Sequence, residues 1–353
     1  MNRLEERYRH LLRLLPADYR RQWEEDMVAA FLESMDTDDA DTNAYVADHG
    51  RPRLSEVASV LALTARLRLG GTNAPPRAYA WGQAVRLATL MATLTHAVMA
   101  TAGVVVAAWL SGNIASLPAP PPEWTPVAPG NLWRTAWDLA DYAWLPAYVA
   151  LVLGHRRVAQ ALALLAILPP AVTHAVQQAS GETPPAASPW VTLLLDAVLV
   201  LAMAAFHHDA DPVPRRRWLY ALPVGILLVP VPLFAVQATG QALRLLDWPG
   251  LSCALVSAAI AVHLASRRPD RAARTLPWSL ALTLLAAATL ALRTATLPDY
   301  SHQAQQTPLL TIAVVEAAGV LAVGAPLAVL AIRALRRLPA VPAEPPSSTT
   351  PTR

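Results

Sequence analysis

The chain has 353 residues, 54% of them hydrophobic and only 15% charged, where a typical soluble domain carries about 25% charged residues. A formal net charge of +3, with no stripe of interleaved basic and aromatic residues, argues against direct nucleic-acid binding. The single cysteine, Cys253, excludes an intramolecular disulfide, and basic residues that are all arginine, amid abundant Ala, Leu, Val and Pro, fit a GC-rich bacterial genome.

The charge is concentrated at the start. Residues 1–75 read as a three-helix head. Leu4, Tyr8, Leu11, Leu12 and Leu15 recur at helical spacing. Pro16 fits the first turn of a second helix, where its missing N–H costs nothing, and Asp18 suits that positive end. Tyr19, Trp23, Met27, Ala30 and Phe31 form the second apolar stripe. A third helix is expected from Leu54 to Leu69, with Leu54, Val57, Ala58, Leu61 and Ala65 facing inward. A core of this size is marginal alone and gains from packing on something else. Basic residues lead the head and acidic ones follow from Glu24 to Asp48. That segregation fits a solvated surface with internal ion pairs. The less favoured reading is a helix-on-helix docking surface for a cytosolic protein, carried by Tyr19, Trp23, Met27 and Phe31.

The stretch YRHLLRLLPADYRRQWEEDMVAAFLESM (Tyr8 to Met35) resembles the short helical module that begins many bacterial membrane proteins. The matching positions are Leu15, Pro16, Tyr19, Arg20, Glu24, Glu25, Asp26, Met27 and Phe31. That module precedes some permeases and also occurs in proteins encoded beside PadR-type transcription regulators. The resemblance implies a sensor or interaction domain with a cytosolic regulator as partner. It extends over the head alone; the rest of the chain resembles no family we can name, and no large extracytoplasmic domain of the efflux-permease kind is present.

A linker at 76–86 leads to a membrane domain at 87–338. A helix crosses the hydrocarbon core with about 20 apolar residues. Eight segments qualify: 87–110, 133–153, 158–177, 189–206, 218–238, 248–265, 276–292 and 308–332. The fold class is therefore all-α, an eight-span polytopic membrane protein behind a small cytoplasmic helical bundle. Arginines set the orientation. Arg156, Arg157, Arg215 to Arg217, Arg267, Arg268, Arg271, Arg274, Arg333, Arg336 and Arg337 fall in one set of breaks, against Arg134, Arg244 and Arg293 in the other. Both termini are then cytoplasmic, in the bacterial inner membrane. The charged run Arg3, Glu5, Glu6 and Arg7 close after Met1, with no apolar stretch behind it, reads as the absence of a signal peptide. The tail, 339–353, reads as disordered.

Ionisable residues inside spans are the sharpest functional signal, since each costs about 2.5–3.5 kcal/mol at the bilayer centre on insertion scales. His96, Asp141, His174, Asp196 and Glu316 all fall in the outer half of their spans. They can line one cavity suited to a proton, a cation, a metal or a pH response, or each can be satisfied separately. The segment THAVMATAG (Thr95 to Gly103) is echoed by THAVQQASG (Thr173 to Gly181), and more weakly by Phe234 to Gly240, which fits either four repeated hairpins or chance matching in Ala/Val-rich sequence. At the cytoplasmic face, His207, His208, Asp209 and Asp211 have metal-ligand chemistry without a second ligand cluster at suitable spacing.

No phosphate-binding loop, nucleophile elbow, HExxH, GxGxxG or paired CxxC is present, so no cofactor is expected. Two functions follow: a regulatory or sensory membrane protein whose head docks a cytosolic partner, or a transporter or permease component that uses the buried Asp, Glu and His. An enzyme at the outer face rests on the acid and histidine cluster alone.

Overall fold

We analysed a computed structural model that describes residues 3–35, 39, 49–70, 75–114, 139–181, 186–207, 210–228, 248–267, 272–300 and 306–338. All regular structure among them is helical. In chain order the helices are α1 (Arg3–Leu12), α2 (Ala17–Met35), α3 (Leu54–Arg68), α4 (Pro76–Leu110), α5 (Trp144–Leu153, entered through a 3-10 turn at Asp141–Ala143), α6 (Arg156–Ser180), α7 (Ser188–Ala202), α8 (Arg215–Leu228), α9 (Trp248–Ser266), α10 (Ala272–Asp299) and α11 (Gln306–Arg337). The chain divides into two compact units, Met1–Gln83 with Leu338–Arg353, and Ala84–Arg337.

In the first unit, α1, α2 and α3 share a core of Leu4, Tyr8, Leu12, Leu15, Val28, Phe31 and Val60. The i, i+4, i+8 spacing of Leu4, Tyr8 and Leu12 places all three on one face of α1. Tyr8 stacks on Phe31 with ring centroids 4.0 Å apart, an arrangement that adds to the area both rings bury. Pro16 stands one position ahead of the expected first turn: its carbonyl accepts from Arg20 N at 3.0 Å, so it caps α2. The inward face of α3 is also rotated from the expected one. Val60 and Thr64 are buried and Leu63 and Leu67 pack against the core, while Leu54 is 87% exposed. Several faces of this helix carry apolar residues, so spacing alone does not single one out. Arg9 pairs with Glu5 at 3.0 Å and Glu25 at 2.8 Å, and its guanidinium, hydrogen-bonded to Glu25, holds that carboxyl below its ordinary range. The first turns of α4 lie so close to the end of α3 that a Cβ on Gly82 would meet Leu69 O at 1.8 Å.

The second unit carries helices long and apolar enough to cross a membrane. Among the described residues there are six: Pro76–Trp109, which begins in the first unit, Arg156–Ser180, Ser188–Ala205, Trp248–Ser266, Thr275–Asp299 and Thr307–Arg337. These correspond to the first, third, fourth, sixth, seventh and eighth expected spans. The second is represented by the shorter apolar helix Asp141–Leu153 and the fifth by α8, of 14 residues; 115–138 and 229–247 lie outside the described residues. The seventh span, expected to end at 292, continues to Asp299.

Two buried clusters organise this unit. One joins α4, α5, α6 and α7 through residues such as Leu90, Ala97, Tyr148, Leu151, Ala163 and Met203. The other joins α9, α10 and α11 through Cys253, Ile260, Leu282, Ala286, Val320 and Leu327. Small residues at these contacts let helices approach closely, which suits packing where lipid offers no hydrophobic drive. Contact between α7 and α10 links the two groups. Polar ties fix the register. Tyr148 Oη donates to Trp218 O at 2.6 Å, Gln160 Nε2 donates to Val200 O at 3.2 Å, and His263 Nε2 lies 2.9 Å from Ser279 Oγ. Gly154, at φ +95°, ends α5 in the left-handed conformation, with its own N–H bonded to Leu151 O and that of His155 to Ala150 O, a closure that glycine adopts without steric cost.

Candidate functional site

Three local features shape one end of the membrane domain. The first is the entry to α7. Its N-cap residue, Ala187, offers no side-chain acceptor; instead Asp299, the last residue of α10, accepts from Ala187 N at 3.0 Å and Ser188 N at 3.1 Å. A carboxylate at a helix N-terminus satisfies orphan N–H groups and suits the dipole. The second is the adjacent pair Pro169 and Pro170 inside α6. Neither has an N–H, so the carbonyl of Ala166 has no helical donor at i+3 or i+4. The third is the 3-10 turn at Asp141–Ala143, which leads directly into Trp144 and so sets Asp141 and Trp144 within one turn of each other.

Between these features lies a cavity of about 540 Å³, within the range of small-molecule sites. Its ionisable lining is His96 from α4, Asp141 from the 3-10 turn, His174 from α6 and Asp196 from α7. Ser188, Thr192 and Thr296 add hydroxyls, Trp144 and Trp248 add aromatic faces, and Ala166 and Pro170 bring the interrupted turn of α6 to the wall. Met99, Leu193 and Leu292 supply apolar surface. His96 is the most constrained of the ionisable groups. Its Nε2 lies 3.2 Å from Asp196 Oδ1, and its ring stacks on Trp144 at 4.3 Å with an interplanar angle of 18°. As imidazolium, the ring is held by a carboxylate on one side and an aromatic face on the other.

Glu316 is placed elsewhere. It does not line the cavity; it pairs with Arg293 on α10, Nη2 to Oε2 at 2.5 Å. Arg293 is only 1% exposed, donates to Tyr300 Oη at 2.9 Å and sits one residue beyond Leu292, a wall residue of the cavity. The five expected residues thus separate into four around a cavity and one in an ion pair behind its wall. A span that stops at 292 leaves Arg293 in an interhelical break, as the arginine pattern has it. The continuation of α10 instead puts it inside the helix bundle, where an acidic partner on α11 offsets its charge.

The other expected sites fare differently. In the head, Phe31 belongs to the core, and Tyr19 and Met27 pack against it. They face inward because α1 and α3 cover that side of α2. Only Trp23 of the expected docking stripe is exposed, at 43%. His208 and Asp209 lie outside the described residues; His207 is buried. Among the described residues no three His, Cys, Asp or Glu side chains lie close enough to share a metal ion. The segments Thr95 to Gly103 and Thr173 to Gly181 both bring their histidines to the cavity, but Gly103 lies within α4 while Gly181 ends α6 at φ +70°.

The site residues that the sequence did not signal are Trp144, Trp248, Thr192, Thr296 and Ala166. The Pro-Pro step was the available signal for the last. Comparison of the chain with family models, with curated proteins and with solved structures finds no match.

The Arg293–Glu316 pair generates a stability test. Removing one partner of a buried pair typically costs about 3–5 kcal/mol, whereas replacing both by apolar residues is often neutral or better. Arg293→Met should therefore lower the thermal unfolding midpoint of the detergent-purified chain sharply. Arg293→Met combined with Glu316→Leu should recover most of the loss. A double variant no better than the single one would show that the two side chains do not act as a pair.

Proposed function

We propose that this is a multi-pass protein of the bacterial cytoplasmic membrane whose membrane domain holds a small solute or ion, as a permease component or solute sensor. The observation that carries this reading is the convergence of His96, Asp141, His174 and Asp196, from four separate helical segments, on one cavity. Ionisable groups are expensive in an apolar helix domain and mark ligand or ion paths when they face a shared interior space. We read eight spans, from the apolar runs of the sequence. The arginine asymmetry supports cytoplasmic termini, which puts the cavity toward the outer face.

A ligand held at about 100 times its dissociation constant stabilises the native state by about 2.7 kcal/mol. Screening the purified chain against inorganic cations, organic ammonium compounds, carboxylates and neutral solutes should find at least one class that raises the unfolding midpoint. That rise should vanish in Asp196→Asn. Stabilisation by none of the classes, or by the same ones equally in Asp196→Asn, would sink the cavity reading.

The exposure of Trp23, where Tyr19, Met27 and Phe31 of the same stripe pack into the head, favours a second reading, in which the head docks a cytosolic regulator of the PadR type and reports the state of the membrane domain. Trp23→Ala should then lose a partner co-purified from native membranes while leaving the head folded, since exposed substitutions usually change stability by less than about 0.5 kcal/mol. Phe31→Ala should instead unfold the head, losing about 3–5 kcal/mol. Partner recovery undiminished by Trp23→Ala would remove this reading.

A further inference from the structure

The cavity's charge balance points to a more specific ligand. Among the described residues it is lined by two carboxylates, Asp141 and Asp196, and by two groups able to carry positive charge, His96 and His174. The nearby guanidinium, Arg293, is turned to Glu316 behind the wall. With both imidazoles neutral and both carboxyls ionised, the described lining carries two negative charges and no positive one. The hydroxyl oxygen of Thr192 adds to this, as do the faces of Trp144 and Trp248. Carboxylates with indole faces recognise organic ammonium groups, and the apolar surface of Met99, Leu193 and Leu292 suits a hydrocarbon body. The dispersed acids do not form a compact cage for a bare metal ion.

The arrangement of His96 adds a control. Its ring occupies the place such a ligand would take, between Asp196 at 3.2 Å and Trp144 at 4.3 Å. Imidazole is the side chain that changes charge between about pH 5 and 8. We infer that the cavity takes an amphipathic organic monocation in exchange for a proton, with the His96 imidazolium and the ligand's ammonium competing for Asp196 and the Trp144 face. In this exchange the proton leaves His96 for water and the ammonium takes its place beside the carboxylate. No covalent bond of the ligand forms or breaks. Among the described residues, the titratable groups around the cavity from the other helical segments are Asp141, His174 and Asp196, with the Arg293–Glu316 pair behind Thr296 and Asp299 on the N–H of Ser188. Protonation of His174 works in the same direction as that of His96, and neutralisation of either acid would weaken the cation further.

This inference rests on the cavity reading proposed above, and its test separates the two. Isothermal titration of the full chain in nanodiscs would use benzyltrimethylammonium, with benzyl alcohol and benzenesulfonate as neutral and anionic counterparts. The cation should bind at about pH 8 and at least ~10-fold more weakly at about pH 5, following imidazole titration. His96→Gln should bind the cation with that pH dependence largely removed, and Asp196→Asn should bind it weakly at either pH. Affinity that is no weaker at about pH 5 overturns the proposal, and this is read in the unmodified chain even if a variant fails to fold. A pH dependence unchanged in folded His96→Gln also overturns it. So does Asp196-dependent binding of benzyl alcohol or benzenesulfonate in preference to the cation, a result that would leave the broader cavity reading standing.

Discussion

A carboxylate and an imidazole 3.2 Å apart, on two helices of an apolar domain, constrain most of what surrounds them. Neither group is tolerated there without a partner or access to water. The pair therefore requires α4 and α7 to stay in register, and it requires space beside it. Both requirements are met by neighbouring backbone. The 3-10 turn at Asp141–Ala143 sets Trp144 against the His96 ring, and Asp299 anchors the first turn of α7 from the end of α10. The two prolines of α6 supply a wall in which the Ala166 carbonyl lacks its usual donors.

The second buried pair, Arg293 with Glu316, plays a complementary part. A guanidinium facing the cavity would cancel one carboxylate and favour anions. With its charge directed to Glu316 and a donor to Tyr300, Arg293 does not turn its charge to the carboxylates of the cavity. Isolated buried pairs contribute little net stability compared with apolar replacements, so charge placement is the more informative feature here. The distinction between the two pairs is one of access: the acid and imidazole stand at a cavity, and the acid and guanidinium stand inside helix packing.

Much of the membrane architecture was legible because a helical run of about 20 apolar residues suits a bilayer and little else. The positions of His96, Asp141, His174 and Asp196 were legible for the same reason, as charges interrupting apolar sequence. Their common depth followed from counting residues along each span. The partner of Glu316 was not legible. Arg293 falls at the edge of a hydropathy window, and whether a helix ends at 292 or 299 is decided by tertiary contacts. The aromatic and hydroxyl lining was hidden too, since Trp144, Trp248, Thr192 and Thr296 are ordinary residues at their positions in apolar helices. In the head, helical spacing located α1 and α2 well. Apolar residues on several sides of α3 concealed which one faces inward. The stripe on α2 is apolar as its spacing indicates, but spacing does not say whether such a stripe meets a partner or its own neighbours, and here α1 and α3 meet most of it.

A ligand-binding role for the cavity requires that water reach it in the intact membrane. The direct measurement is labelling by a membrane-impermeant thiol reagent of intact cells expressing Thr192→Cys in a Cys253→Ala chain, with Val200→Cys, in the packed part of the same helix, as the comparison. The Thr192 position should be modified from outside and the Val200 position should not. A Thr192 position that stays unmodified from either side of the membrane, in a chain shown to be inserted and folded, would contradict a water-filled cavity at this place and the binding role built on it.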